Sequence, residues 1–206
     1  MRTMITAHAG AEDTKANTME SIRKLVVCGA DAIEIDVRSH NGKLILSHDV
    51  PAEGEVYDTL ETCFREVVKH AGLKVNVDLK EYDIIPAIAQ TAQQCGILDR
   101  IMISGDMSAA DLLYTHLHGI MVCYNESQMP KGVDMLACVS LAGCEILNVY
   151  YGLVTDEMYA AAPERLSLWT VNDETAIRKQ LQAGVYNITT CCPVLALRLR
   201  DEIQGK

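Results

Sequence analysis

The feature that most restricts this chain is alternation, because short apolar runs of strand length recur between segments with helical periodicity. The runs cover 4–7, 32–37, 44–47, 75–79, 101–104, 120–123, 146–150, 166–171 and 186–190. Helical patterns lie near 17–29, 57–70, 84–95, 109–117, 156–162, 173–184 and 194–202. Parallel strands need long crossovers and helices supply them, so the pattern predicts βα units around a parallel sheet. Nine strands and about seven helices in 206 residues fit a compact (β/α)₈ TIM barrel, whose lower size limit is roughly 200 residues. A doubly wound open sheet is the alternative, weakened by the lack of Gly-x-Gly-x-x-Gly after the first run. No linker or block of like charge divides the chain, and its five prolines are scattered, so one domain over 1–206 is expected.

Charge narrows the partners. Eighteen Lys and Arg against 28 Asp and Glu give a net −10, which disfavours nucleic acid or an anionic lipid surface as a partner, since both need basic clusters. No run of 18 uncharged apolar residues occurs, and no apolar leader precedes His8 and Glu12, so a cytoplasmic protein without stable membrane association is expected. The eight cysteines form no Cys-x-x-Cys pair and read as reduced, mostly buried small hydrophobes.

Helix ends can be assigned. Asn17, with Glu20 three residues on, predicts an N-cap, and Gly29 a stop; Asp173 and Gly184 bracket a later helix. Between 37 and 44 the chain is too short for a crossover, and Asn41-Gly42 signals a hairpin. A two-residue loop would set Asp36 opposite Ser47 and turn His48 to the other face. The register expected here is the other one, with a bulge or odd-length loop, because the chemistry calls for Asp36 and His48 on one face.

Polar groups recur where the apolar runs end: His8, Glu34 and Asp36, His48-Asp49, Asp78 and Lys80, and 169–172. In a barrel these ends converge on one mouth, where such folds place their active sites. Glu34 and Asp36 lie two apart on a strand, on one face, with Cα atoms about 6.5 Å apart. Two anions on an apolar strand call for a hard cation, and Asp78 would complete three carboxylates around Mg²⁺ or Ca²⁺ rather than zinc. Pairing of Glu34 or Asp36 with Arg38 or Lys80 alone is the plainer reading. His8 and His48 are candidate general acid and base, because imidazole titrates near neutral pH. Lys80 shares the face of Asp78 and can add positive charge; Trp169, the sole tryptophan, is either core or a wall for an apolar or cationic leaving group.

Over nearly its full length the chain resembles the glycerophosphodiester phosphodiesterase family of TIM-barrel enzymes. The likeness rests on Ala-His8-Ala-Gly10, Ala-Asn17-Thr18, the segment Gly29 to Val37 with Glu34-Ile-Asp36, Ser-His48-Asp49, Asp78-Leu-Lys80, Ile103-Ser104, Trp169-Thr-Val-Asn172 and Gly184-Val. The resemblance implies a divalent metal at Glu34, Asp36 and Asp78, catalysis by His8 and His48, phosphate contact by Lys80 and a substrate wall at Trp169. The family usually has Arg after the first His and Glu before Asn-Thr; here these are Ala9 and Ala16. Asp78 replaces the usual Glu, as in the related sphingomyelinase D-type phospholipases, and Thr190-Cys191-Cys192-Pro193 stands where relatives tend to have Thr-Asp-Arg-Pro. Only 29 residues separate His48 from Asp78, so the small lobe relatives insert there is expected to be missing and the mouth more open.

With a divalent ion and Lys80, the three carboxylates sum to neutrality, and one protonated histidine makes the site positive, so a monoanionic diester is tolerated without the missing Arg. The expected activity is metal-dependent hydrolysis of a glycerophosphodiester or similar small phosphodiester, with one His accepting and the other donating a proton. The alternatives are a catalytically degraded barrel that binds phosphate esters and a sphingomyelinase D-like phospholipase.

Overall fold

Nine strands and eight α-helices alternate in the computed structural model, in which residues 2–205 are described. They are β1 (Met4–Ala7), α1 (Met19–Leu25), β2 (Ala32–His40), β3 (Lys43–Leu46), α2 (Leu60–Val67), β4 (Lys74–Leu79), α3 (Ile85–Cys95), β5 (Ile101–Gly105) and α4 (Ala109–His118). β6 (Met121–Asn125), α5 (Met135–Leu141), β7 (Ile146–Tyr150), α6 (Asp156–Ala161), β8 (Leu166–Trp169), α7 (Glu174–Ala183), β9 (Asn187–Thr190) and α8 (Pro193–Gln204) complete the order. The strands pair as β1-β9-β8-β7-β6-β5-β4-β2, and β1 pairs with β2 to close the ring. Every pairing in the ring is parallel, so this is the expected (β/α)₈ barrel.

Local chemistry sets the boundaries of the helices. Asp173 accepts from Ala176 N–H at 3.0 Å, satisfying a donor at the start of α7, and Gly184 ends it at φ 72°, where a side chain would be strained. At α1 the cap differs from the sequence expectation: Thr18, not Asn17, accepts from Ser21 N–H. Asn17 is drawn away because its amide is used at the barrel mouth. The helix α5 has no counterpart in the helical segments read from sequence; it is short and only Val139 of it is buried, so it carries a weak apolar stripe.

Alternation along each strand divides the core in two. Ile33, Ile35, Val37, Val75, Val77 and Ile103 face the helices at 0% exposure, each contributing about 1.5–3 kcal/mol of burial. Inside the barrel the floor is apolar, with Ala32, Met102, Cys123 and Ile146 in contact. Above it runs a hydrogen-bonded belt. Thr6 Oγ1 donates to Asn187 Oδ1 (2.7 Å), Asn187 to Ser167 (3.0 Å), Ser167 to Asn148 (2.9 Å) and Asn148 to Asn125 (2.8 Å). The buried members of this belt, Thr6, Asn187, Ser167 and Asn148, thus have their hydrogen bonds met within the barrel.

The hairpin departs from expectation. Val37 pairs with Leu46 and His40 with Lys43, so Asn41-Gly42 is a plain two-residue loop, both residues at positive φ, and no bulge intervenes. Ser47 N–H donates to Asp36 carbonyl at 3.0 Å, the register in which a continued strand would turn His48 away. The ladder ends at Leu46, however, and Ser47 Oγ bonds the Asp49 carbonyl at 2.8 Å, so the chain leaves the strand before His48. His48 reaches the mouth through this turn.

Between β3 and β4 there is one helix, α2, and its flanking loops, without an extra lobe. Of the eight cysteines, all free thiols, Cys63, Cys123 and Cys144 are buried and the other five are half-buried, fewer than the sequence reading expects. Among the described residues, no helix is long and apolar enough to cross a membrane.

Candidate active site

The C-terminal ends of the barrel strands open into a cleft of about 490 Å³ lined by His8, Glu34, Asp36, His48, Asp78, Lys80 and Trp169, together with groups from the remaining strand ends. All seven residues singled out in the sequence therefore face one cavity. Each arrives by the same rule: Glu34 and Asp36 on β2, Asp78 on β4 and Trp169 on β8 occupy inward positions, and His8 and Lys80 follow directly after β1 and β4.

Carboxylate oxygens of Glu34, Asp36 and Asp78 lie within 4.8 Å of one another. One donor orients each of them. Ala9 N–H donates to Glu34 Oε2 (3.2 Å), Asn17 Nδ2 to Asp36 Oδ2 (2.7 Å) and Ser104 Oγ to Asp78 Oδ1 (2.7 Å). Lys80 Nζ spans the other side, 3.0 Å from Asp36 Oδ1 and 2.5 Å from Asp78 Oδ2. Burial works against the Lys80 charge, but Asp78 and Asp36 outweigh it and hold the ammonium above its ordinary range. Glu34 has no such partner. Burial, with the charges of Asp78 and Asp36 behind it, pushes its carboxyl well above the usual range.

That combination fits a divalent cation. Three hard oxygen donors are close enough to meet on one ion at about 2.0–2.6 Å each, and a buried carboxyl driven up by its neighbours is relieved by positive charge. Pairing with Lys80 alone leaves Glu34 uncompensated.

His8 Nδ1 donates to the Ala9 carbonyl at 2.7 Å; a carbonyl can only accept, so the neutral ring keeps Nε2 as the free base, 3.6 Å from Glu34 Oε2. His48 stands at the open edge with its side chain 66% exposed, and Nδ1 donates to Asp49 Oδ1 at 2.8 Å. This bond holds the Asp49 carboxyl below its usual range. Arg38 Nε donates to the His48 carbonyl at 3.1 Å and ties the loop to β2.

Sequence reading missed several groups in the cleft. Asn76 sits two residues before Asp78, buried at 6% exposure, with Oδ1 unpartnered. Asn125 ends β6, Asn148 lies in the middle of β7, and Asp106 and Glu126 follow β5 and β6. Period-two counting outward from the floor residues Cys123 and Ile146 would have found the two asparagines. Gly105, after Ser104, is required by space as well as by its φ of 90°, since a Cβ there would lie 2.3 Å from Leu79 O and 3.0 Å from Asp78 Oδ1.

The fold and the site define a (β/α)₈ barrel with an acid-and-imidazole pocket at its C-terminal mouth. Solved structures share this barrel. A glycerophosphodiester phosphodiesterase from Parabacteroides distasonis superposes with a TM-score of 0.77 at 18% identity, over 98% of each chain. One from Thermotoga maritima gives 0.74 at 20% identity, over 97% of this chain and 99% of that one. An Oleispira antarctica phosphodiesterase in complex with the product sn-glycerol-3-phosphate gives 0.74 at 16% identity, over 97% of both. Likeness at these identities is a likeness of fold. No protein-family model matches the sequence, and no curated protein sequence matches it.

Proposed function

We propose that this chain is a glycerophosphodiester phosphodiesterase-like phosphoric diester hydrolase acting on a small glycerophosphodiester. The observation that carries this reading is the convergence of Glu34, Asp36 and Asp78 oxygens within 4.8 Å, with His8 Nε2 beside them, at the mouth of a barrel shared with such enzymes. The Oleispira antarctica structure holds sn-glycerol-3-phosphate, a product of the same chemical class. The net charge of −10 disfavours an anionic lipid surface, and so favours this reading over a sphingomyelinase D-like one.

Glu34, Asp36 and Asp78 would hold Mg²⁺ or Ca²⁺, which supplies Lewis acidity and neutralises charge on a phosphoryl oxygen. Lys80, charged and locked between Asp36 and Asp78, offers its remaining donor to a second phosphoryl oxygen. His8, with Nδ1 committed to Ala9, takes a proton on Nε2 from the attacking hydroxyl or water. His48, at the solvent edge and backed by Asp49, donates one to the departing alkoxide. The protein is read as one domain and as cytoplasmic.

The test is hydrolysis of glycerophosphocholine, glycerophosphoethanolamine and bis(p-nitrophenyl) phosphate with added Mg²⁺ or Ca²⁺. His8→Ala and Asp78→Ala are each expected to lower kcat/KM by about 10²–10⁴-fold. Activity untouched by both substitutions rejects the site, and bound metal with no turnover of any diester favours the phosphate-ester-binding alternative.

A further inference from the structure

The turn after β9 carries two thiols that the proposed chemistry does not use. Cys191 and Cys192 are both free and both half-buried, and they line one groove of about 730 Å³ with Glu12, Asp13, Val194 and Arg198. No other two of the eight cysteines are neighbours in sequence. A small reagent entering this groove meets both residues.

The peptide bond between the two cysteines is an anchor. Its carbonyl, that of Cys191, accepts from Glu12 N–H at 3.0 Å, and its N–H, that of Cys192, donates to Thr190 Oγ1 at 3.0 Å. Glu12 Oε1 also accepts from Val194 N–H at 3.3 Å, and Lys24 Nζ donates to the Glu12 carbonyl at 2.6 Å. Glu12 and Asp13 both stand at positive φ, 55° and 57°, a conformation that persists only where the surroundings hold it. The held segment begins at His8, whose N–H donates to the Thr190 carbonyl at 2.9 Å and whose own carbonyl accepts from Ala11 N–H at 2.9 Å. A disulfide between neighbours would close a small ring that contains this same peptide bond. Across a trans peptide the Cα atoms are about 3.8 Å apart, short of the roughly 4.4–6.8 Å of ordinary disulfides, so the peptide must twist as the ring closes. Strain of this kind also makes the bond easy to reduce.

We infer that Cys191 and Cys192 form a reversible oxidation site for a peroxide, and that closing the disulfide between them turns their peptide bond away from Glu12, frees the segment 8–13 and displaces His8. Burial pushes the Cys191 thiol up, which leaves the first attack to Cys192. The Cys192 thiolate attacks one oxygen of hydrogen peroxide, forming a sulfenic acid and expelling hydroxide, which takes up the proton given by the thiol and leaves as water. The Cys191 sulfur then displaces the second oxygen, again as water, and the S–S bond forms. Two thiols are oxidised, one peroxide is reduced to two waters, and an external dithiol reverses the change. The disulfide itself does not rest on the diesterase reading; its effect on turnover does.

Tryptic digestion yields one peptide, 180–198, that holds Cys191 and Cys192 and no other cysteine. After treatment with hydrogen peroxide and alkylation of the remaining thiols, this peptide is expected to be unalkylated and lighter than its dithiol form by two hydrogens. Dithiothreitol added before alkylation should restore uptake of two alkyl groups. The His8 ring signal in the proton NMR spectrum, identified by its loss in His8→Gln, should move on oxidation of the wild type and stay in place in peroxide-treated Cys192→Ser, whose fold is checked by circular dichroism. Diester turnover should fall by about tenfold or more as the disulfide forms and recover with the reductant. A 180–198 peptide that keeps both thiols or pairs with a different cysteine, or a disulfide that leaves the His8 signal unmoved, overturns the inference. A disulfide that shifts His8 in a protein hydrolysing no diester upholds it and defeats the diesterase reading; diester turnover unchanged by peroxide, with no disulfide formed, does the reverse.

Discussion

Asn17 grips Asp36 twice: its Nδ2 donates to Asp36 Oδ2 at 2.7 Å, and its Oδ1 accepts from the Asp36 backbone N–H at 3.0 Å. Asn17 adopts φ 58° to do so, a conformation Asn tolerates better than other side chains. The chain before α1 is thereby pinned to the acidic strand, and Asp36 is held in one rotamer. Replacing the clamp, Asn17→Ala, should weaken divalent-metal binding by about 10–100-fold while the fold is retained. Isothermal titration with Mg²⁺ and Ca²⁺ measures this; unchanged affinity would show that Asp36 needs no orienting partner.

At Gly105 the constraint is steric. Gly105→Ala puts a methyl group 2.3 Å from the Leu79 carbonyl and 2.5 Å from its nitrogen, in a backbone conformation that is strained for any side chain. Leu79 and Asp78 must shift, so a destabilisation of about 2–4 kcal/mol is expected, readable as a lower midpoint in urea unfolding, with loss of the proposed diesterase activity.

Glu34 makes metal-free stability depend on pH. Its folded-state pKa lies above the unfolded value, so the contribution of this group is fully present below the unfolded pKa and is lost as pH rises through the folded one. Without metal, therefore, Glu34→Gln should raise Tm at neutral pH by about 3 °C, and the gain should shrink on acidification. With saturating metal the order reverses, because the ionised wild-type carboxylate then has a partner. Scanning calorimetry at several pH values, with and without metal, checks both signs.

The thiols should divide by burial. Burial pushes Cys144 up to about 11 and Cys123 up to about 12, with Cys63 higher still. In the native protein at pH 8 these three are expected to stay unmodified by a water-soluble disulfide reagent for as long as the fold holds, and to react on unfolding. Mass spectrometry of quenched samples identifies the sites; labelling of Cys63 under native conditions would contradict its enclosure.

The barrel was legible because its determinants are local. Apolar runs at period two and helical stripes between them leave few ways to bury both faces, so strand and helix positions, the caps at Asp173 and Gly184, and the gathering of strand-end residues could be read directly. What misled the reading was also local. Asn17 has the residue type and spacing of a cap, and nothing nearby in sequence shows that Thr18 takes that role while the amide turns to Asp36. The expected bulge or odd-length loop came from chemistry, not from the hairpin signal; the turn held by Ser47 and Asp49 delivers His48 without it.

Composition and periodicity favoured a parallel barrel over an open sheet and set Glu34 and Asp36 on one strand face, since side-chain direction along a strand is fixed by counting; the pairing of β1 with β2 decided the closure. Only the tertiary structure decided how those groups are used: that Ser104 and Asn17 orient two of the carboxylates and that Lys80 bridges Asp36 and Asp78. Closing the ring brings strands far apart in the chain within ångströms of one another, and hydrogen bonds act over that distance, which sequence spacing does not measure.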